Sequence, residues 1–81
     1  IGHETTIGDF TTIAPLVAVS GRVNIGRFVE IGTSASIRQG LKIESGSMLG
    51  MGAVLTKDIE EPALYFGSPA KFVKKLSLQE E

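Results

Sequence analysis

Ile25-Gly26-Arg27-Phe28-Val29-Glu30-Ile31-Gly32-Thr33-Ser34-Ala35-Ser36-Ile37 carries an aliphatic residue at every sixth place. Extended in both directions, the column reads Ile1, Ile7, Ile13, Val19, Ile25, Ile31, Ile37, Ile43, Leu49 and Leu55 without a slip. The fifth place of each hexad holds Thr5, Thr11, Val17, Val23, Val29, Ala35, Leu41, Ser47, Ala53 and Ile59, most of them small or β-branched. The second place is glycine or alanine in six of ten hexads, at Gly2, Gly8, Ala14, Gly26, Gly32 and Gly50. A period of six is neither the 3.6 of a helix nor the simple alternation of a strand. A fixed internal period of this kind marks a repeat architecture.

The physical reading is all-β, a parallel β-helix of hexapeptide repeats. The fifth place and the first place of the next hexad are two residues apart, so both side chains point inward from one short strand. The third and fourth places turn a corner, with glycine where backbone packs closely. Three strands close a triangle, so one coil takes 18 residues and residues 1–60 make about three coils. At the inter-strand spacing such a stack is roughly 16 Å tall. Each coil buries its apolar face only against its neighbours, so the ends need caps. Residues 61–81 are expected to form the lower cap. Ser68-Pro69 reads as an N-cap and first helical residue, which predicts a short C-terminal helix with Phe72, Val73 and Leu76 on its inner face. Residues 77–81 read as a polar, frayed tail. No cap is visible at Ile1, and an upstream acceptor-binding domain is expected.

Composition limits the chemistry. The 81 residues hold no cysteine and one histidine, so neither a thiolate metal site nor a three-histidine zinc centre can be assembled within one chain. A γ-class carbonic anhydrase, which has a similar repeat, is thereby excluded, and no metal is expected. Eight basic and nine acidic residues leave a net charge of −1, without the basic footprint of a nucleic-acid binder. No apolar run reaches membrane-spanning length, and a cytoplasmic location is expected.

The hexads, with the tail Gly67-Ser68-Pro69-Ala70-Lys71, resemble the left-handed β-helix acyltransferases. Ile1-Gly2-His3-Glu4, Ile7-Gly8-Asp9-Phe10, Ile13-Ala14-Pro15 and Ile37-Arg38-Gln39-Gly40 are similar to the sialic-acid O-acetyltransferase and bacillosamine N-acetyltransferase family. That resemblance implies a left-handed coil, a homotrimer, acetyl-CoA as acyl donor and a sugar acceptor bound with the help of an upstream Rossmann-like domain. It implies that His3 is the general base and Glu4 its modulator. A second family histidine, near the acyl group, falls at Thr12, where this chain departs from the pattern. Other CoA contacts fall at Gly21, Thr33 and Met51. Gly21 fits the family pattern, whereas at Thr33 and Met51 only main-chain contacts carry over.

The residues alone say less. With 18 residues per coil, His3 heads a corner column of Gly21, Gln39 and Lys57. Gly21 leaves room beside the imidazole for a thioester. Imidazole, with an ordinary pKa of roughly 6.5, is suited to take the proton of an attacking amine or hydroxyl. A solvated corner residue is the bland alternative. Glu4 heads a column of Arg22, Gly40 and Asp58, so a simple pair with Arg22 is also open. Pro15, Thr33 and Met51 form a column on a different corner, which favours a site built between adjacent subunits. Lys57, Lys71, Lys74 and Lys75 are candidates to meet CoA phosphates or to stand in solvent. The other readings are a serine- or antibiotic-type acetyltransferase and a non-enzymatic β-helical interaction module. An ice-binding face is disfavoured, because Thr6 and Thr12 are followed in their columns by Asn24 and Glu30.

Overall fold

The structure is a computed structural model and describes residues 2–77. Nine two-residue strands follow one another: β1 (Thr6–Ile7), β2 (Thr12–Ile13), β3 (Ala18–Val19), β4 (Asn24–Ile25), β5 (Glu30–Ile31), β6 (Ser36–Ile37), β7 (Lys42–Ile43), β8 (Met48–Leu49) and β9 (Val54–Leu55). Each of the first six pairs in parallel with the strand one coil on, as in Ile7 with Ile25 and Ile25 with Ile43. The pairing gives three walls, β1-β4-β7, β2-β5-β8 and β3-β6-β9. The chain is a left-handed parallel β-helix of about three turns.

The walls meet at three corners, and the backbone there explains the hexad. The fourth place of every hexad from Glu4 to Gly52 is left-handed, including six non-glycine residues: Glu4, Phe10, Leu16, Arg22, Phe28 and Ser34. Left-handed backbone is costly for such residues, and persists where surrounding bonds over-determine it. Here inter-coil bonds do so. The Arg22 amide donates to the His3 carbonyl at 2.8 Å, and the Gly52 amide to the Thr33 carbonyl at 2.8 Å. Close packing, by contrast, falls on the second place. A Cβ at Gly32 would lie 2.5 Å from the Met51 nitrogen in the coil below.

The first and fifth places fill the interior. Val23, Val29, Ile31, Ile37, Ile43, Leu49, Leu55 and Ile59 are all buried. Each side chain of this kind contributes about 1.5–3 kcal/mol by leaving water. The column loosens toward the first coil, where Ile7 is 39% exposed against 3% for Ile25. Threonines at the fifth place tie coils together. Thr11 Oγ1 donates to the Gly26 carbonyl at 2.6 Å and accepts from the Val29 amide at 3.2 Å. The Thr6 hydroxyl donates to the Asn24 side-chain oxygen across the outer face. These threonines are thus part of the scaffold.

The expected C-terminal helix is not formed, and the described residues contain no helix. The chain instead makes a hairpin of β10 (Ala63–Phe66) and β11 (Lys71–Lys75). β10 adds in parallel beneath β8, with Leu64 opposite Met48 and Tyr65 opposite Leu49. The reason is the open lower edge of the β8 wall. Its unpaired backbone groups offer a template that a solitary helix would leave unsatisfied. Gly67, at φ +107, then turns the chain around the cis Ser68–Pro69 bond. The N-cap and proline signals were real turn signals, read into the wrong element. Phe72 and Val73 remain half exposed, so the seal comes from Ile59 and Ala63, both buried, with Tyr65 and Ala70 packed against the core. Of the expected polar tail, all but Ser77 lies outside the described residues.

Candidate active site

The corner between the β3 and β1 walls carries the single histidine. His3 stands at its top, 90% exposed, with Nε2 3.6 Å from Glu4 Oε2. The left-handed backbone at Glu4 belongs to the same turn. Of the two partners open to Glu4, the structure selects His3, since no ion pair joins Glu4 to Arg22 among the described residues. One coil below, Gly21 lies against the His3 main chain; a Cβ there would come 3.1 Å from the His3 carbonyl oxygen. No side chain therefore occupies the step beneath the imidazole. His3, Glu4, Gly21, Arg22 and Gln39 line an open cavity of 230 Å³.

Thr12, Thr33 and Met51 meet on another face. They line a groove of 380 Å³ along the β2-β5-β8 wall and its corner with the β3 wall. Gly32 and Gly50 also line it. At Gly50 a Cβ would collide with the Phe66 ring. The six candidate residues thus form two groups, His3, Glu4 and Gly21 in one cavity and Thr12, Thr33 and Met51 in another.

Glu30 and Met48 escaped the sequence reading as site residues. They separate the Thr33 groove from a 430 Å³ cavity walled by Phe10, Phe28 and Leu76. Phe10 and Phe28 stack at 5.0 Å between centroids, with the Arg27 guanidinium 5.3 Å over Phe28. Glu30 and Met48 occupy the sixth, outward place, whose side chains follow no period. Their only signal is the column Thr12, Glu30, Met48, which register alone brings together.

The lysines also divide. Lys75 pairs with Glu61 at 3.7 Å and Lys42 with Glu44 at 3.6 Å. Lys57 and Lys71 line a common cavity beside Tyr65 and Phe72.

A parallel β-helix of hexads is the fold of solved acetyltransferases, and this chain has that fold. Among solved structures, it is similar to perosamine N-acetyltransferase from Caulobacter crescentus, a histidine-to-asparagine mutant in complex with CoA and GDP-perosamine. The TM-score is 0.88 at 26% identity, over 90% of this chain and 35% of that one. WeeI from Acinetobacter baumannii superimposes with a TM-score of 0.87 at 36% identity, over 90% of this chain and 37% of that one. LpxA from Acinetobacter baumannii gives 0.85 at 35% identity, over 88% and 28%. The chain therefore spans about a third of the length of these structures. No protein-family model and no curated protein matches it. Among the described residues no helix is long and apolar enough to cross a membrane.

Proposed function

We propose that this chain is the catalytic β-helix of an acetyl-CoA-dependent acetyltransferase acting on an amine or hydroxyl of a sugar or nucleotide-sugar. The observation that carries the reading is the His3–Glu4 pair beside an open, glycine-floored cavity, on the fold that perosamine N-acetyltransferase presents with CoA and GDP-perosamine bound. His3 takes the proton from the acceptor as its lone pair attacks the thioester carbonyl, and later delivers that proton to the leaving CoA thiolate. Glu4 orients the imidazole. Gly21 leaves room for the thioester. Thr12, Thr33 and Met51 of an adjacent copy form the facing wall along which the donor lies, with main-chain groups at Thr33 and Met51 as its contacts. The active form is then a homotrimer, with the acceptor held partly by an upstream domain.

The test is acetyl transfer by the full-length protein, followed as release of free CoA thiol with candidate amino and hydroxy sugars. His3→Ala should lower kcat by roughly 10²–10⁴-fold, the range for loss of a general base. Acetyl-CoA affinity should change little, because the lost group handles a proton. Near-normal turnover in a folded His3→Ala protein would remove His3 from the chemistry.

A further inference from the structure

The outward places of the β2-β5-β8 wall carry Thr12, Glu30 and Met48, in register one beneath another. These three residues line two cavities at once: the 380 Å³ groove that also holds Thr33 and Met51, and a 430 Å³ cavity on the other side. A molecule in one would touch a molecule in the other. The second cavity has the size of a small-molecule site, for which about 300–1,000 Å³ is usual. Its far wall is aromatic. Phe10 and Phe28 stack one coil apart with ring planes 14° from parallel, and Phe10 is 72% exposed.

Among the described residues, Glu30 is the only charged side chain in that lining. Its carboxylate has no ion pair and no hydrogen bond among them, while its amide donates to the Ser47 carbonyl at 3.1 Å. Arg27, the nearest cation along the chain, sits 5.3 Å over the Phe28 ring and does not line the cavity. An unpaired carboxylate repels phosphate and attracts a cation. The faces of the neighbouring rings carry negative potential, so they favour a cation and polarised C–H bonds as well.

We propose that this cavity is the acceptor subsite, with a sugar ring packed on Phe10 and its amino group held by Glu30. The inference rests on the acetyltransferase reading, with the groove of Thr12, Thr33 and Met51 as the donor wall. The two substrates of such a transfer must meet, and the adjoining cavity is where the second one reaches the first. Charge decides which substrate takes it. CoA offers phosphates and a neutral pantetheine arm, neither of which satisfies Glu30. An amino sugar is an ammonium ion at neutral pH, and the C–H face of its ring suits an aromatic surface. A charge-assisted hydrogen bond is about twice as strong as a neutral one, so Glu30 favours an amine over a hydroxyl. The ammonium releases one proton to water through the open cavity before its nitrogen attacks. The second proton passes to His3 and on to the CoA thiolate. The ammonium ion and acetyl-CoA thus give an amide, free CoA thiol and one proton. The amide is neutral, so its hold on Glu30 weakens and the product leaves.

Steady-state kinetics of the full-length protein test the subsite, read as release of CoA thiol. The acceptors are matched nucleotide sugars that differ only by an amino or a hydroxyl group, UDP-glucosamine with UDP-glucose among them. The wild type should favour the amino member in kcat/KM. Glu30→Gln should raise KM for the amino member about tenfold, the effect of losing one charge-assisted bond, with KM for acetyl-CoA unchanged. Glu30→Asp should recover part of that loss. Phe10→Ala should raise KM for both members, since the ring packs on the sugar whichever group it bears. Circular dichroism confirms that the variants are folded. Unchanged acceptor KM in Glu30→Gln, with acetyl transfer intact, would overturn the subsite and leave the acetyltransferase reading standing. A raised KM for acetyl-CoA in place of the acceptor would assign the cavity to the donor and overturn the proposal. A wild type that prefers the hydroxy member would overturn the selection of an amine by Glu30. Transfer to neither member of any pair would overturn the acetyltransferase reading, and the subsite with it.

Discussion

Gly32→Ala isolates the packing rule on which the coil rests. Its Cβ would lie 2.5 Å from the Met51 nitrogen, 2.8 Å from the Met51 Cα and 2.9 Å from the Gly50 carbonyl carbon. All three are backbone atoms, so no side chain can swing away. Reaching ordinary contact requires the lower coil to move by about 1 Å. That movement strains the bonds from the Gly32 amide to the Leu49 carbonyl and from the Gly52 amide to the Thr33 carbonyl, both 2.8 Å. Overpacking by a single methyl group typically costs about 1–3 kcal/mol. For a domain of this size each kcal/mol lowers Tm by roughly 4–8 °C, so a fall of about 10 °C is the central expectation. Circular dichroism melts of the full-length protein at fixed concentration measure it. Gly40→Ala is the comparison for backbone strain without overpacking: nothing lies within 4 Å of its Cβ, but its φ of +77 costs an alanine about 1–2 kcal/mol. Gly32→Ala carries no such backbone cost, so its loss reports the clash with the lower coil. Equal Tm values for Gly32→Ala and wild type would refute the claim that glycine at the second place sets the coil spacing.

Gly21→Leu should weaken acetyl-CoA binding in calorimetry while the oligomer persists, because its side chain would project into the cavity shared with His3; unchanged affinity would move the thioester elsewhere. Glu4→Gln should lower kcat less than His3→Ala in the same thiol-release assay, since Glu4 only positions the imidazole; an equal or larger loss would make Glu4 a direct participant. Sedimentation of the full-length protein should show a trimer, and a monomer that still binds CoA would sink a site shared between copies.

The hexad shows what a sequence alone can carry. The inward places at Ile31, Ile37 and Leu49 were legible because a period of six repeated over three coils leaves one consistent strand geometry. The columns followed from the same arithmetic, and the structure places His3 above Gly21 and stacks Phe10 on Phe28. The cap was misread because Ser68-Pro69 is ambiguous locally. Only the free edge of the β8 wall, formed by residues far back in the chain, decides that residues 63–66 become a strand.

The candidate site divides in the same manner. That His3 shares a corner with Gly21 and Gln39 was determined by sequence, since register is a matter of counting; the count fails at Lys57, because the last turn is two residues short and brings Ile59 beside Ile43. Tertiary structure alone decided that Glu4 turns to His3 and not Arg22, that Thr12 joins Thr33 and Met51 in one groove, and that Lys71 folds back beside Lys57. Counting fixes which backbones stack. Side-chain direction and long-range return of the chain depend on which hydrogen bonds and charges are left unpartnered once the stack is complete.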